Sequence, residues 1–212
     1  MTDTGLLPRL RFVGLLWLAV YLPSYTAAYG LLNFLFLCNV GVVLTAVGLW
    51  RRSALLLSSQ ALSALVVCLA WVLDFGGRLI LGHHPLGVTA YMWDPQYPLF
   101  TRLLSLYHTA WPFVLLAALR RVGYDRRAFA LQSALAATLI PLSRVAGPAL
   151  NINYAYQDPL FHRTFHPAAL HLLVIVGAMV VLVYWPTHAL LRRLLPAAPV
   201  EPGSSRYSAG EV

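Results

Sequence analysis

Six apolar stretches, each roughly the length that a helix needs to cross a bilayer, divide this chain, and arginines stand in the gaps between them. They cover 12–28, 30–50, 53–73, 99–119, 128–146 and 167–185. Such a pattern restricts the fold severely. Backbone polar groups in hydrocarbon must be satisfied within the segment, so spans of this kind are helices. Composition agrees: 59% of residues are hydrophobic and 10% are charged, against about 25% charged in soluble domains. Six helices of about 20 residues use most of the 212. The expected fold is therefore all-α: a polytopic integral membrane helical bundle, one domain over 1–195, followed by a Pro- and Ser-rich tail, 196–212, expected to be disordered.

The first stretch is interrupted by Pro23, Ser24, Tyr25 and Thr26, and its Arg9–Arg11 start resembles a signal peptide. The small-x-small pattern around Thr26 to Ala28 is poorly formed, which favours a retained helix.

All fifteen basic residues are arginine and, against seven acidic residues, give the net charge of +8. They lack the aromatic interleaving of a nucleic-acid binder, so no nucleic-acid partner is expected. With the N-terminus inside, eleven of them fall on the cytoplasmic side, including Arg51–Arg52, Arg120–Arg121, Arg126–Arg127 and Arg192–Arg193. Arg78, Arg102, Arg144 and Arg163 fall toward the other face. Both termini are thus expected in the cytoplasm and the protein in a membrane, of the bacterial plasma-membrane type, with membrane lipids as its partners.

Two long outer loops, 74–98 and 147–166, are rich in aromatic and polar residues, and loops of that length are more often functional than connective. Their tyrosines and tryptophans also suit an interfacial belt. Within the spans, counting 1.5 Å per residue from the outer ends places Cys38 about 12 Å deep and His108 about 13–14 Å deep. A thiol and an imidazole at one level have the chemistry of nucleophile and base. Arg102 and Arg144, about 5 Å deep, and His171, about 6 Å, would lie above them, where arginine can hold an anionic head group or an oxyanion. Asn39 adjoins Cys38, and with Asn33 could border one wet crevice. The plainer alternative is that His108 hydrogen-bonds a neighbouring helix and Cys38 is packing. His162 and His166 are four apart but lack the acid of a zinc-protease motif, and a bis-histidine haem would need a second deep histidine. No metal and no cofactor is expected.

Three short runs carry a family likeness. LNFLFLCN (32–39) resembles the LPLHLCD-type stretch of YwaF-like bacterial integral membrane proteins. YHTAWPFVLL (107–116) is similar to the histidine-bearing helix of the related androgen-induced-gene-like proteins. NINYAY (151–156), followed by Pro159, resembles the GTNYMYL stretch after the fifth helix of the first family. The resemblance implies a six-helix bundle and, from characterised eukaryotic relatives, a lipid acyl hydrolase or acyltransferase with a Thr or Cys nucleophile and a His. On that implication Cys38 is nucleophile and His108 base. The leading reading adds Arg102, Arg144, Asn39, Asn153 and His171 as residues that would border the substrate. Phe36 stands where the family pattern has histidine, and Asn39 where it often has aspartate. Two function classes therefore remain in view: a membrane-embedded lipid enzyme with an outward-opening pocket, and a non-enzymatic lipid- or solute-binding protein or complex subunit.

Overall fold

The computed structural model describes residues 5–199. Among them, five helical segments are long and apolar enough to cross a membrane: Leu6–Tyr29, Ala54–Leu81, Leu99–Val122, Ala128–Ala146 and Ala168–Leu194. A shorter apolar helix, Leu37–Arg51, lies between the first two. Side chains such as Phe113, Leu173 and Leu182 are about 70% exposed, while Ser58, Ser59, Asp74, Ser105 and His171 are wholly buried. Apolar outside and polar inside is the arrangement that hydrocarbon demands of a bundle.

Helix α1 (Leu6–Tyr29) runs without a break through Pro23. The hydroxyls expected to interrupt it fold back on the helix: Ser24 donates to the Val20 carbonyl and Thr26 to that of Leu22. The helix stops at Gly30, whose φ of 76° favours glycine.

The second apolar stretch does not form one helix from Gly30. A 3₁₀ turn (Leu31–Leu35) and an extended Phe36 precede α2 (Leu37–Arg51). Cys38 is thus the second residue of a helix instead of a point two turns inside one, and the depth counted for it at 1.5 Å per residue does not apply. At 15 residues α2 is about 22 Å long, shorter than its neighbours.

Helix α3 (Ala54–Leu81) is the axis of the bundle and packs against α2, α5 (Tyr107–Val122), α6 (Ala128–Leu142) and the last helical segment. Ser53 caps its start by accepting from the Leu56 N–H, and Gly82, with φ 77°, ends it. It continues past Asp74 because the loop that follows satisfies that carboxylate. Gly41 of α2 lets Trp111 and Gln60 approach, since a Cβ there would lie 2.6 Å from the Trp111 ring. In the same seam the Trp111 Nε1 donates to Thr45 Oγ1 (3.0 Å).

A short α4 (Leu99–Leu104) leads into α5 through tighter i→i+3 bonds, His108 N–H to the Ser105 carbonyl and Thr109 N–H to that of Leu106. The last segment comprises α7 (Ala168–Ala178), a π-helical stretch (Met179–Tyr184) and α8 (Trp185–Leu194). The wide turn carries Tyr184 fully into the core.

The connections sort to two ends. At one, which we call the loop end, Tyr29 packs on Tyr91 and Tyr97, and Asn153 bonds the Leu35–Leu37 backbone. At the other, the arginine end, the Arg11 Nε donates to the Leu49 carbonyl and the Asp125 N–H to Ser58 Oγ. There Tyr124 also pairs with the chain after α8: its N–H donates to the Pro196 carbonyl and its own carbonyl accepts from Ala198. The expected tail therefore begins with docked residues, and its remainder, 200–212, lies outside the described residues.

Candidate functional site

Four aromatic residues at four-residue spacing, Trp17, Tyr21, Tyr25 and Tyr29, form the inward face of α1. A repeat of four on a helix of 3.6 residues per turn drifts about 40° per step, so the middle members lie deepest. Tyr21 is 0% and Tyr25 5% exposed, while Trp17 and Tyr29 are half-buried. Buried phenols need partners, and α2 and α4–α5 supply them. The Tyr21 hydroxyl donates to Asn39 Oδ1 (2.6 Å), and the Tyr25 hydroxyl shares a short hydrogen bond with that of Ser105.

Asn39 is the hub on α2. Its Oδ1 also accepts from the Cys38 thiol (3.6 Å), and its Nδ2 donates to the Asn33 carbonyl (2.6 Å). The expected crevice of Asn33, Cys38 and Asn39 is thus one hydrogen-bonded unit, with Tyr21 as a further member.

His108 lies in the first turn of α5 and is buried, as is Ser105 just ahead of that helix. Its Nδ1 is 2.8 Å from the Ser105 carbonyl, which can only accept, so a neutral ring carries its proton on Nδ1 and leaves Nε2 as the acceptor. The ring stacks between Trp71 (centroids 5.0 Å apart, planes 8°) and Tyr107 (4.1 Å, 27°). No hydrogen bond joins His108 to Cys38. Tyr107 touches both: its ring covers the imidazole, and its buried hydroxyl lies against the Cys38 thiol without a well-aligned hydrogen bond.

The remaining expected site residues act within the loop end. Arg102 donates from a terminal nitrogen to the Met92 carbonyl (2.8 Å), and Arg144 to that of Ala155 (2.8 Å) while lying 4.0 Å over the Tyr156 ring. Carboxylates do not meet them. Asp74 accepts from the N–H groups of Leu86, Gly87 and Thr89 and from the Thr89 hydroxyl. Asp158 accepts from those of Leu160, Phe161 and Arg163. Burial pushes the Asp158 carboxyl up, but these donors outweigh it and hold the group below the ordinary carboxylate value.

Asn153 takes the Leu37 N–H on its Oδ1 (2.9 Å) and donates to the Leu35 carbonyl and Ser143 Oγ, which locks the start of α2. His171 donates from Nε2 to the Tyr154 carbonyl and accepts the Phe165 N–H on Nδ1 (3.4 Å). His162 and His166 lie in irregular chain, so the shared helical face that their spacing would give does not form. No family model matches the chain, and no curated protein or solved structure matches it.

Not all donors at this end are used. The Arg102 Nε and the Tyr29 hydroxyl are buried without a partner among the described residues, and the two groups lie within electrostatic reach of each other. A cleft of about 360 Å³ opens between α1 and the chain entering α4, lined by Ser24, Ala27, Ala28, Gln96, Pro98 and Thr101; Tyr29 and Arg102 follow Ala28 and Thr101 in the chain but do not line it. Neither Cys38 nor His108 lines it.

Sequence reasoning missed Tyr21, Tyr25, Tyr29 and Tyr107. The signal was present in the W-x₃-Y-x₃-Y-x₃-Y spacing of residues 17–29.

Proposed function

We propose that this is a six-span protein of a bacterial-type plasma membrane, with both termini cytoplasmic, that binds a lipid at the loop end without transforming it. The six passes rest on the five long apolar segments plus α2 with its preceding turn, and the orientation on the arginine pairs. The observation that carries the binding reading is the buried, unpartnered pair of Arg102 Nε and Tyr29 hydroxyl, next in the chain to Thr101 and Ala28 of the α1–α4 cleft. Both are hydrogen-bond donors, so the fitting ligand presents an acceptor, such as a lipid phosphate or ester oxygen. The catalytic arrangement lacks equivalent support, because the thiol and the imidazole each bond elsewhere.

Lipid retained through purification and weighed by native mass spectrometry tests this reading. Arg102→Gln combined with Tyr29→Phe is expected to lose most of the lipid that the native protein keeps. Equal retention by both proteins would refute it. A reporter fused after Arg192 should read cytoplasmic and labels near Gly87 or Asp158 should read outside, and the reverse would overturn the orientation.

One observation favours a second reading. The Nδ1–H tautomer of His108 leaves Nε2 free to take a proton, and Tyr107 bridges the ring to Cys38. Together with the resemblance to YwaF-like proteins, this supports a lipid acyl hydrolase or acyltransferase with Cys38 as nucleophile. On that reading, labelling by an acyl-directed thiol probe depends on His108 and vanishes in Cys38→Ser. Labelling indifferent to His108→Ala would remove it.

A further inference from the structure

At the arginine end, Arg126, Arg192 and Arg193 line a second cleft of about 230 Å³ together with Ala189. They come from two separate parts of the chain. Arg192 and Arg193 lie in the last turn of α8, and Arg126 in the connection between α5 and α6. The chain invests several contacts in holding these parts together. Tyr124 makes the two backbone bonds to Pro196 and Ala198, and its hydroxyl bonds His188 Nδ1 of α8 at 2.7 Å. Gly123, with φ 81°, permits this approach, since a Cβ there would lie 2.6 Å from the Ala198 Cα.

The result is three like charges gathered by a clamp. The carboxylate in the connection does not offset them, because Asp125 pairs with Arg127 at 2.7 Å. Among the described residues, no carboxylate lies within 4.0 Å of Arg126, Arg192 or Arg193. Gathering like charges is unfavourable without a counter-charge, and guanidinium groups match phosphate oxygens in geometry as well as sign. Basic pockets between helices on the cytoplasmic side are suited to acidic head groups.

We propose that this cleft is a binding site for a phosphate-bearing anion, one that either an anionic phospholipid head group or a soluble phosphate compound could supply. The site is independent of the loop-end cleft, sharing no residue with it.

The full-length protein in neutral detergent provides the test. Thermal unfolding is followed with added phosphatidylglycerol, with phosphatidylcholine, and with inorganic phosphate. Phosphatidylglycerol is expected to raise the midpoint by several degrees where phosphatidylcholine does not. Arg126→Gln with Arg192→Gln should lower the apparent affinity at least tenfold, whereas Arg120→Gln with Arg121→Gln should leave it within about twofold. Stabilisation by inorganic phosphate alone, lost in the same variant, would support the site and assign it to a soluble ligand. Equal losses in both double variants would reduce the effect to general surface charge and overturn the proposal. So would an anion effect that appears only in Glu201→Gln with Glu211→Gln, which would give the cleft to the chain's own carboxylates.

Discussion

At the loop end, Asp74 and Asp158 are each wrapped in backbone N–H groups, and Arg102 and Arg144 each reach a backbone carbonyl. At the arginine end, Arg126, Arg192 and Arg193 are exposed around an open cleft. The two ends use charge for different purposes. Long loops over a bundle contain backbone groups with no regular partners, and a buried carboxylate or guanidinium can satisfy several at once. Short turns have few such groups to satisfy, so their charges stay available to water, head groups or ligands. An ionisable residue near a membrane face therefore marks a ligand site only when its hydrogen-bonding capacity is not already taken. By that criterion Asn153 and His171, whose side-chain polar atoms are all bonded within the loop end, are construction there, while one edge of Arg102 is not.

Substitutions can break this contrast, beginning with the largest effect. Asp74→Ala removes the acceptor of three N–H groups and a hydroxyl, and should cost about 3 kcal/mol or more, since the N–H and hydroxyl of buried Thr89 are both orphaned and each orphaned buried donor costs about 1–3. Thermal unfolding in detergent and faster proteolysis within 82–98 would register it. Unchanged stability would mean that the loop is not organised by this carboxylate.

Asn153→Ala should cost about 2 kcal/mol by freeing the Leu37 N–H and the Leu35 carbonyl, with faster hydrogen exchange at Leu37 as its local signature. Gly123→Ala combines a left-handed backbone with a close approach and should cost about 1–2 kcal/mol. It should expose the Ala198 amide to exchange while leaving the loop end unaltered.

The smallest effect is a pH dependence. The Asp158 carboxyl is held lower in the folded loop than in the unfolded chain, so its contribution is fully present above the unfolded value of about 3.9. It is lost as pH falls through the folded value. Exchange protection at Phe161 and Arg163 should therefore be steady from about pH 7 to 5 and decline below about 4. Asp158→Asn should flatten that profile, and a profile that persists in the variant would point to another group.

The helical class and the sorting of arginines were legible in the sequence because both follow from average properties of long segments. Rotation and local breaks were not. The run 30–37, GLLNFLFL, is apolar enough to pass for the start of a helix, and the break at Phe36 is held by Asn153, which takes the Leu37 N–H from 116 residues along the chain. Depth along a helix could place Cys38 and His108 at one level only while that helix was continuous. Ser105 and His108 are buried together, because a spacing of three across the tight α4–α5 junction keeps them on one side whatever the distant contacts. Tyr25 was read as an interruption, since a phenol among Pro, Ser and Thr lowers local hydropathy whether or not its hydroxyl finds a partner in Ser105.

The π-helical stretch at Met179–Tyr184 has a bearing on the opposite end of its own helix. An α-helix turns about 100° for every residue, and a wide turn takes up one extra residue without passing that rotation on. Deleting a single residue there would let the segment close to ordinary winding with Arg192 and Arg193 still aimed at Arg126, whereas deleting one from α8 would swing them about 100° around the axis and off it. The aim of these guanidinium groups thus depends on the residue count between the wide turn and Arg192, and it can be changed without altering a single charge.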